Sequence, residues 1–155
     1  MATTNSGIPL VVIGRNPGTA QAVRRLMVPE FDVVHACFSP EQAIADISRL
    51  AQGLKPLDYH ENVGSQNYSR IPNNIAFGGG YDHEAIEAIK TAVDKQVDTT
   101  GLLWLWPDAE KRVQGGPPPT TPEQFESYAS GVVARIKERA CQSDFKESQG
   151  GVFYY

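Results

Sequence analysis

The sequence has 155 residues, of which 41% are hydrophobic and 21% charged, as is typical of one globular domain rather than of a disordered chain. A net charge of -4 with scattered basic residues argues against a nucleic-acid-binding protein, which would normally carry a basic stripe. The sequence has no apolar run near the roughly 20 residues that span a bilayer, no secretory signal and no CxxC pair. We therefore predict one soluble, cytoplasmic domain with reduced thiols and a flexible segment at 1–7.

Two apolar runs, each followed by a turn and an amphipathic helix, come first in the chain. Pro9–Ile13 is rich in branched residues and predicts a strand that is covered on both faces. Asn16 and Pro17 then predict a helix start, since Pro has no N–H to lose at the first helical position. Phe31–Phe38 predicts the second strand, and a capping box at 39–42 predicts the second helix.

Two more units of the same kind follow. Ile75–Phe77 predicts a short third strand, and the glycine run 78–80 separates it from a helix that Asp82 would cap. Leu102–Trp106 predicts a fourth strand. A second capping box, at 121–124, begins the helix with the clearest apolar stripe in the sequence.

Strands that alternate with helices predict parallel pairing through right-handed crossovers. We therefore predict an α/β fold, a small flavodoxin-like (Rossmann-like) parallel sheet of four to five strands in the order 2-1-3-4, with helices on both faces. The tail 143–155 contains an aromatic run, Val152–Tyr155, that can add a fifth strand at the edge or form a homo-oligomer contact.

Two long polar segments do not belong to this basic unit. In an open parallel sheet, ligands bind at the carboxyl edge, where strand-to-helix loops lie. Segment 107–120, rich in Pro and Gly, is such a loop and is therefore the candidate lid. Segment 54–74 joins a helix to a strand, so we expect it at the opposite edge.

The predicted strand order puts a crevice between the ends of strands one and three, where two glycine-bearing turns face each other. Both turns lead into helix N-termini, whose N–H groups and positive dipole ends attract anions. A run of three glycines also suggests that a Cβ would collide with a ligand there. The predicted ligand-binding residues are Gly14, Arg15, Asn16, Gly18, Thr19, Gly78, Gly79, Gly80, Tyr81 and Trp106.

Asp82 and His83 are the candidate catalytic pair at this crevice. The positive end of a helix favours the neutral form of His83, which can then act as general base or acid on a ligand, while Asp82 orients the histidine. The competing interpretation is structural: Asp82 is the N-cap of helix three, and His83 points to solvent.

Other residues have less demanding interpretations. Gly18-Thr19 resembles the phosphate loop of flavodoxins, and Tyr81 and Trp106 lie where such proteins stack a flavin, so FMN is a minority alternative to no cofactor. We expect no metal.

His35 lies mid-strand on the same face as Cys37, which predicts a hydrogen-bonded core histidine beside a buried thiol.

Two hypotheses follow. The first is a small cofactor-independent enzyme, of isomerase or lyase type, that acts on an anionic or carbonyl-bearing metabolite in the crevice. The second is a non-catalytic flavodoxin-like module for binding or assembly, which the aromatic tail favours.

Overall fold

The computed structural model describes residues 7–78, 80–108, 120–142 and 150–155. The predictions for residues 1–6, for Gly79, for residues 109–119 of the candidate lid and for residues 143–149 of the tail lie outside the described residues. The strands are β1 (Ile8–Ile13), β2 (Phe31–Cys37), β3 (Asn74–Phe77), β4 (Leu103–Trp106) and β5 (Gly151–Tyr154). The helices are α1 (Pro17–Met27), α2 (Pro40–Ala51), α3 (His83–Gln96) and α4 (Pro122–Ala140).

The five strands form one sheet in the order β2-β1-β3-β4-β5, and every neighbouring pair is parallel. This arrangement confirms the predicted flavodoxin-like α/β fold, and it makes the aromatic tail the edge strand β5. Helices α1 and α4 cover one face of the sheet, here called the α1/α4 face. Helices α2 and α3 cover the other, the α2/α3 face.

The predicted caps set the helix starts. The Asn16 side chain accepts hydrogen bonds at the start of α1, and Thr121 and Gln124 form a complete capping box at the start of α4. The Asp82 side chain accepts from the amide of Ala85 and caps α3. None of the helices in the described part of the chain is long and apolar enough to cross a membrane.

Segment 54–73 lies along the outer edge of β2, which differs from the predicted position at the amino edge. The backbone amide of Ser65 donates to the carbonyl of Val33 at 2.8 Å. The amide side chain of Asn62 pairs with the backbone N–H and C=O of Ala36, at 2.9 and 2.7 Å. An uncovered edge strand leaves backbone groups without partners, so this segment shields an edge that would otherwise pair with another chain.

Candidate functional site

A cavity of about 420 Å³ opens at the carboxyl ends of β1 and β3, on the α1/α4 face of the sheet. Val12 and Ala76 form its floor on the two strands. Helix α1 contributes Val23 to one wall, and α4 contributes Val132 and Ile136 to the other. The cavity therefore lies between α1 and α4 at the switch point, the position at which open α/β sheets bind ligands.

The two predicted turns meet at this cavity. Six of the predicted ligand-binding residues line it: Gly14, Arg15, Asn16, Thr19, Gly78 and Gly80. Gly18, Tyr81 and Trp106 are not among the lining residues, and Gly79 lies outside the described residues.

Arg15 connects the two turns at the rim. Its Nε donates to the carbonyl of Gly80 at 2.6 Å, and its guanidinium lies 4.1 Å from the centre of the Tyr81 ring. A Cβ on Gly80 would lie 3.1 Å from Cγ of Arg15. At least one glycine of the run is thus explained by the close approach of this arginine rather than by a ligand.

The backbone amides in the first turn of α1 already donate to partners within the protein. The side-chain oxygen of Asn16 accepts from the amides of Gly18 and Thr19 at 2.8 and 3.3 Å, and its carbonyl accepts from the amide of Ala20. Pro17 has no N–H. The predicted anion site built on free backbone amides of α1 is therefore not available, although the dipole and Arg15 remain.

One residue of the cavity lining carries a polar atom without a partner. The hydroxyl oxygen of Thr19 makes no hydrogen bond within the described structure, and it has almost no accessible surface. This oxygen is therefore covered by protein and offers no contact to a ligand in the cavity.

The two aromatic residues proposed to stack a flavin belong to the α2/α3 face. Tyr81 is 1% exposed, and its hydroxyl donates to the carbonyl of Gly14 at 2.9 Å, which ties the two turns together. Burial raises the pKa of Tyr81, and the charge of Arg15 opposes that effect. Trp106 packs in the same core cluster as Tyr81. Neither residue lines the cavity, and one face of the Tyr81 ring is covered by the Arg15 guanidinium.

Asp82 and His83 lie beyond the cavity rim, at the start of α3. Nε2 of His83 donates to the carbonyl of Pro107 at 3.0 Å, and its ring centre lies 5.8 Å from that of Trp106 and 6.2 Å from that of Tyr154. Neither Asp82 nor His83 lines the cavity. The structural interpretation of Asp82 as an N-cap is confirmed.

Sequence reasoning missed the far wall of the cavity. Tyr155, the residue after β5, closes it, and its hydroxyl donates to the carbonyl of Phe77. Tyr128 lines it from α4. The alternation of the aromatic tail is a signal that places Phe153 and Tyr155 on one face, but it does not indicate that Tyr155 reaches past β4 to β3.

A second polar cluster lies on the α2/α3 face. His35 is fully buried, and it hydrogen-bonds the Tyr68 hydroxyl through Nδ1 at 2.8 Å and Asp46 through Nε2 at 2.7 Å. This confirms the predicted core histidine. The possible metal-ligating atoms of His35, Cys37 and Asp46 lie within 4.8 Å of one another.

The hydrogen bonds of this cluster favour a structural role over metal binding or catalysis. Both ring nitrogens of His35 are already engaged by protein partners. Burial, with a smaller contribution from the charge of Asp46, raises the pKa of the Cys37 thiol well above its ordinary value. Burial and the same carboxylate raise the pKa of Tyr68 to about 12. The thiol therefore stays protonated and is a poor nucleophile.

Comparison with known proteins gives one informative match. The chain is 31% identical over 134 residues to Kojic acid related protein 6 of Aspergillus oryzae, and the aligned region spans 86% of this chain and 76% of that protein. No family model matches the sequence, and no solved structure matches it. By its extent and identity, this match shows that the chain belongs to the family of Kojic acid related protein 6.

Proposed function

We propose that the protein binds a small organic molecule in the cavity at the β1–β3 switch point. The observation that carries this proposal is the cavity itself. Protein interiors are close-packed and contain few voids larger than a water molecule, whereas this cavity holds about 420 Å³ at the ligand-binding edge of the fold. Its size falls within the range of about 300–1,000 Å³ that small-molecule sites occupy.

The name of the relative suggests one ligand to test for binding. It associates that protein with kojic acid, which is a small oxygen heterocycle with hydroxyl and carbonyl groups. A molecule of this size would fit in the cavity. Kojic acid is therefore one of the ligands to be tested here.

Filling the cavity should abolish binding. Ala20 lies on α1 and lines the cavity, so Ala20→Met places a flexible apolar side chain where the ligand would lie. We expect affinity for kojic acid or for ring-sized organic fragments, measured by saturation-transfer NMR and calorimetry, to fall by about tenfold or more, equivalent to about 1.4 kcal/mol.

The matched control is Gln21→Met, which adds the same side chain to the next residue of α1, on its exposed side. It should bind like the unmodified protein. Equal affinities in all three proteins, or no binding of any fragment, would contradict the proposal.

A second candidate function is acid–base catalysis, of isomerase or lyase type and without a cofactor, on the part of a ligand that extends beyond the cavity rim to His83. The observation that favours it is the orientation of His83. Because Nε2 donates its hydrogen to the Pro107 carbonyl, Nδ1 of the neutral ring keeps its lone pair. Nδ1 has no hydrogen-bond partner in the described structure, and the residue is exposed at the carboxyl edge.

This candidate makes its own prediction. Exchange of a ligand C–H for deuterium in D₂O, followed by NMR, should be catalysed by the protein and should slow by about 100-fold in His83→Ala. Ligand affinity should be unchanged, because His83 does not line the cavity. His60→Ala, which removes an exposed histidine from segment 54–73, is the control. Absent exchange, or equal rates in His83→Ala and His60→Ala, would leave binding alone as the function.

A further inference from the structure

We propose that the ligand of this cavity is an amphipathic monocarboxylate, with an apolar ring-sized body and one acidic group, and not a phosphate ester or a nucleotide. The inference rests on the proposed binding function and names its ligand class. Three features of the lining support it: its charge, its available hydrogen-bond donors and the apolar character of its deeper walls.

The charge of the cavity favours an anion of low charge. Among the lining residues that the structure describes, Arg15 is the one cation, and none is acidic. The first turn of α1 also has no acidic residue, whereas the first turns of the other three helices carry Glu41, Glu84 and Glu123. The positive end of the α1 dipole is therefore not offset by an acidic side chain in that first turn. A single arginine matches one negative charge and leaves a dianion half compensated.

The donors available at the rim fit a carboxylate. Arg15 uses Nε on Gly80, and its two terminal nitrogens have no hydrogen-bond partner in the described part of the chain. The two carboxylate oxygens can accept from these two nitrogens, in the bidentate geometry that arginine forms with carboxylates. Hydrogen bonds to charged groups are the stronger ones, worth about 1.5–3 kcal/mol each.

The first turn of α1 lacks the free backbone amides by which a phosphate loop holds its ligand. Phosphate loops hold their ligand through several backbone amides at a helix N-terminus. In α1 the amides of Gly18 and Thr19 donate to the Asn16 side chain, and Pro17 has none. The flavodoxin-like position is thus retained, while its usual phosphate chemistry is blocked.

The walls of the deeper part of the cavity favour an apolar body for the ligand. Its walls are the aliphatic side chains of Val23, Val132 and Ile136, together with the ring of Tyr155. The Tyr155 hydroxyl is already bonded to the carbonyl of Phe77. Such walls favour a flat or branched apolar group and disfavour a sugar, whose hydroxyls would be buried without partners.

Three probes with the same body separate the classes: 2-naphthoate, 2-naphthylmethanol and 2-naphthyl phosphate. We expect 2-naphthoate to bind about tenfold more tightly than either of the others. Arg15→Gln should weaken 2-naphthoate by roughly three- to tenfold and leave the alcohol unchanged. Arg24→Gln is the matched control, since it removes the same charge from α1 at a residue that does not line the cavity.

The outcomes separate this proposal from the one on which it depends. If the alcohol binds as tightly as the carboxylate, and both are lost in Ala20→Met, the ligand class is wrong and the binding site stands. Tightest binding of the phosphate also overturns the class. If none of the three binds, the monocarboxylate is excluded and the cavity does not accept ring-sized ligands. If Arg24→Gln weakens 2-naphthoate as much as Arg15→Gln does, the preference for the carboxylate depends on the net charge of the protein alone. That result would overturn the assignment of Arg15 as the binding residue.

Discussion

Tyr155→Ala is expected to lower the free energy of unfolding by about 3–5 kcal/mol, which is the usual cost of removing a large buried aromatic side chain. The ring is 1% exposed and packs in the core cluster of the α1/α4 face. Its hydroxyl donates to the carbonyl of Phe77, and the guanidinium of Arg135 lies 5.8 Å from the ring centre. The substitution removes all of these contacts and enlarges the cavity.

The control is the neighbouring tyrosine. Tyr154 is 46% exposed, and Tyr154→Ala should therefore cost much less, about 1 kcal/mol. Tyr155→Phe removes the hydroxyl alone and should cost about 1 kcal/mol as well. Urea denaturation followed by circular dichroism measures all three. Similar losses of unfolding free energy for Tyr154→Ala and Tyr155→Ala would show that Tyr155 does not anchor the wall of the cavity.

Gly64→Ala, at the one glycine of segment 54–73, should lower the free energy of unfolding by about 3 kcal/mol through overpacking. A Cβ on Gly64 would lie 2.5 Å from the carbonyl carbon and oxygen of Val34. Those atoms belong to the backbone of β2 and cannot rotate away. Hydrogen bonds from the amides of Ser65 and Gln66 to β2, at 2.8 and 3.0 Å, hold the segment at this distance.

Gly101→Ala is the matched control for this effect. A Cβ on Gly101 would have no heavy atom within 4 Å, so the same substitution should change stability by no more than about 0.5 kcal/mol. Thermal and urea unfolding of the two variants gives the comparison. If Gly64→Ala is as stable as Gly101→Ala, segment 54–73 does not pack on β2 as described.

The fold was predictable because its signals are local. Continuous branched runs mark buried parallel strands, and Asn16, Asp82 and Thr121 each begin a helix by a side-chain hydrogen bond. Right-handed crossovers limit the possible strand orders, and the order 2-1-3-4 is the flavodoxin-like arrangement among them. The meeting of the Gly14 turn with the glycine run was predictable for the same reason, since it depends on strand order alone.

The details of the candidate site were less predictable because they depend on long-range packing. A cavity between α1 and α4 arises from how far apart two helices lie, and no periodicity records that distance. Asn16 can cap its helix or leave the amides to a ligand, and only the geometry shows that it caps. Segment 54–73 has no helical or alternating pattern, so its position along β2 could not be read from sequence.

Methyl NMR tests binding in the cavity most directly. The protein is labelled with ¹³C at the methyl groups of Val and Ile and titrated with ring-sized organic fragments, both neutral and acidic. We predict shifts at Val23, Val132 and Ile136, which line the cavity. The methyl groups of Val93 and Ile47, buried on the α2/α3 face, should remain unchanged. Shifts confined to the α2/α3 face, or no shifts at millimolar fragment, would contradict a ligand site between α1 and α4.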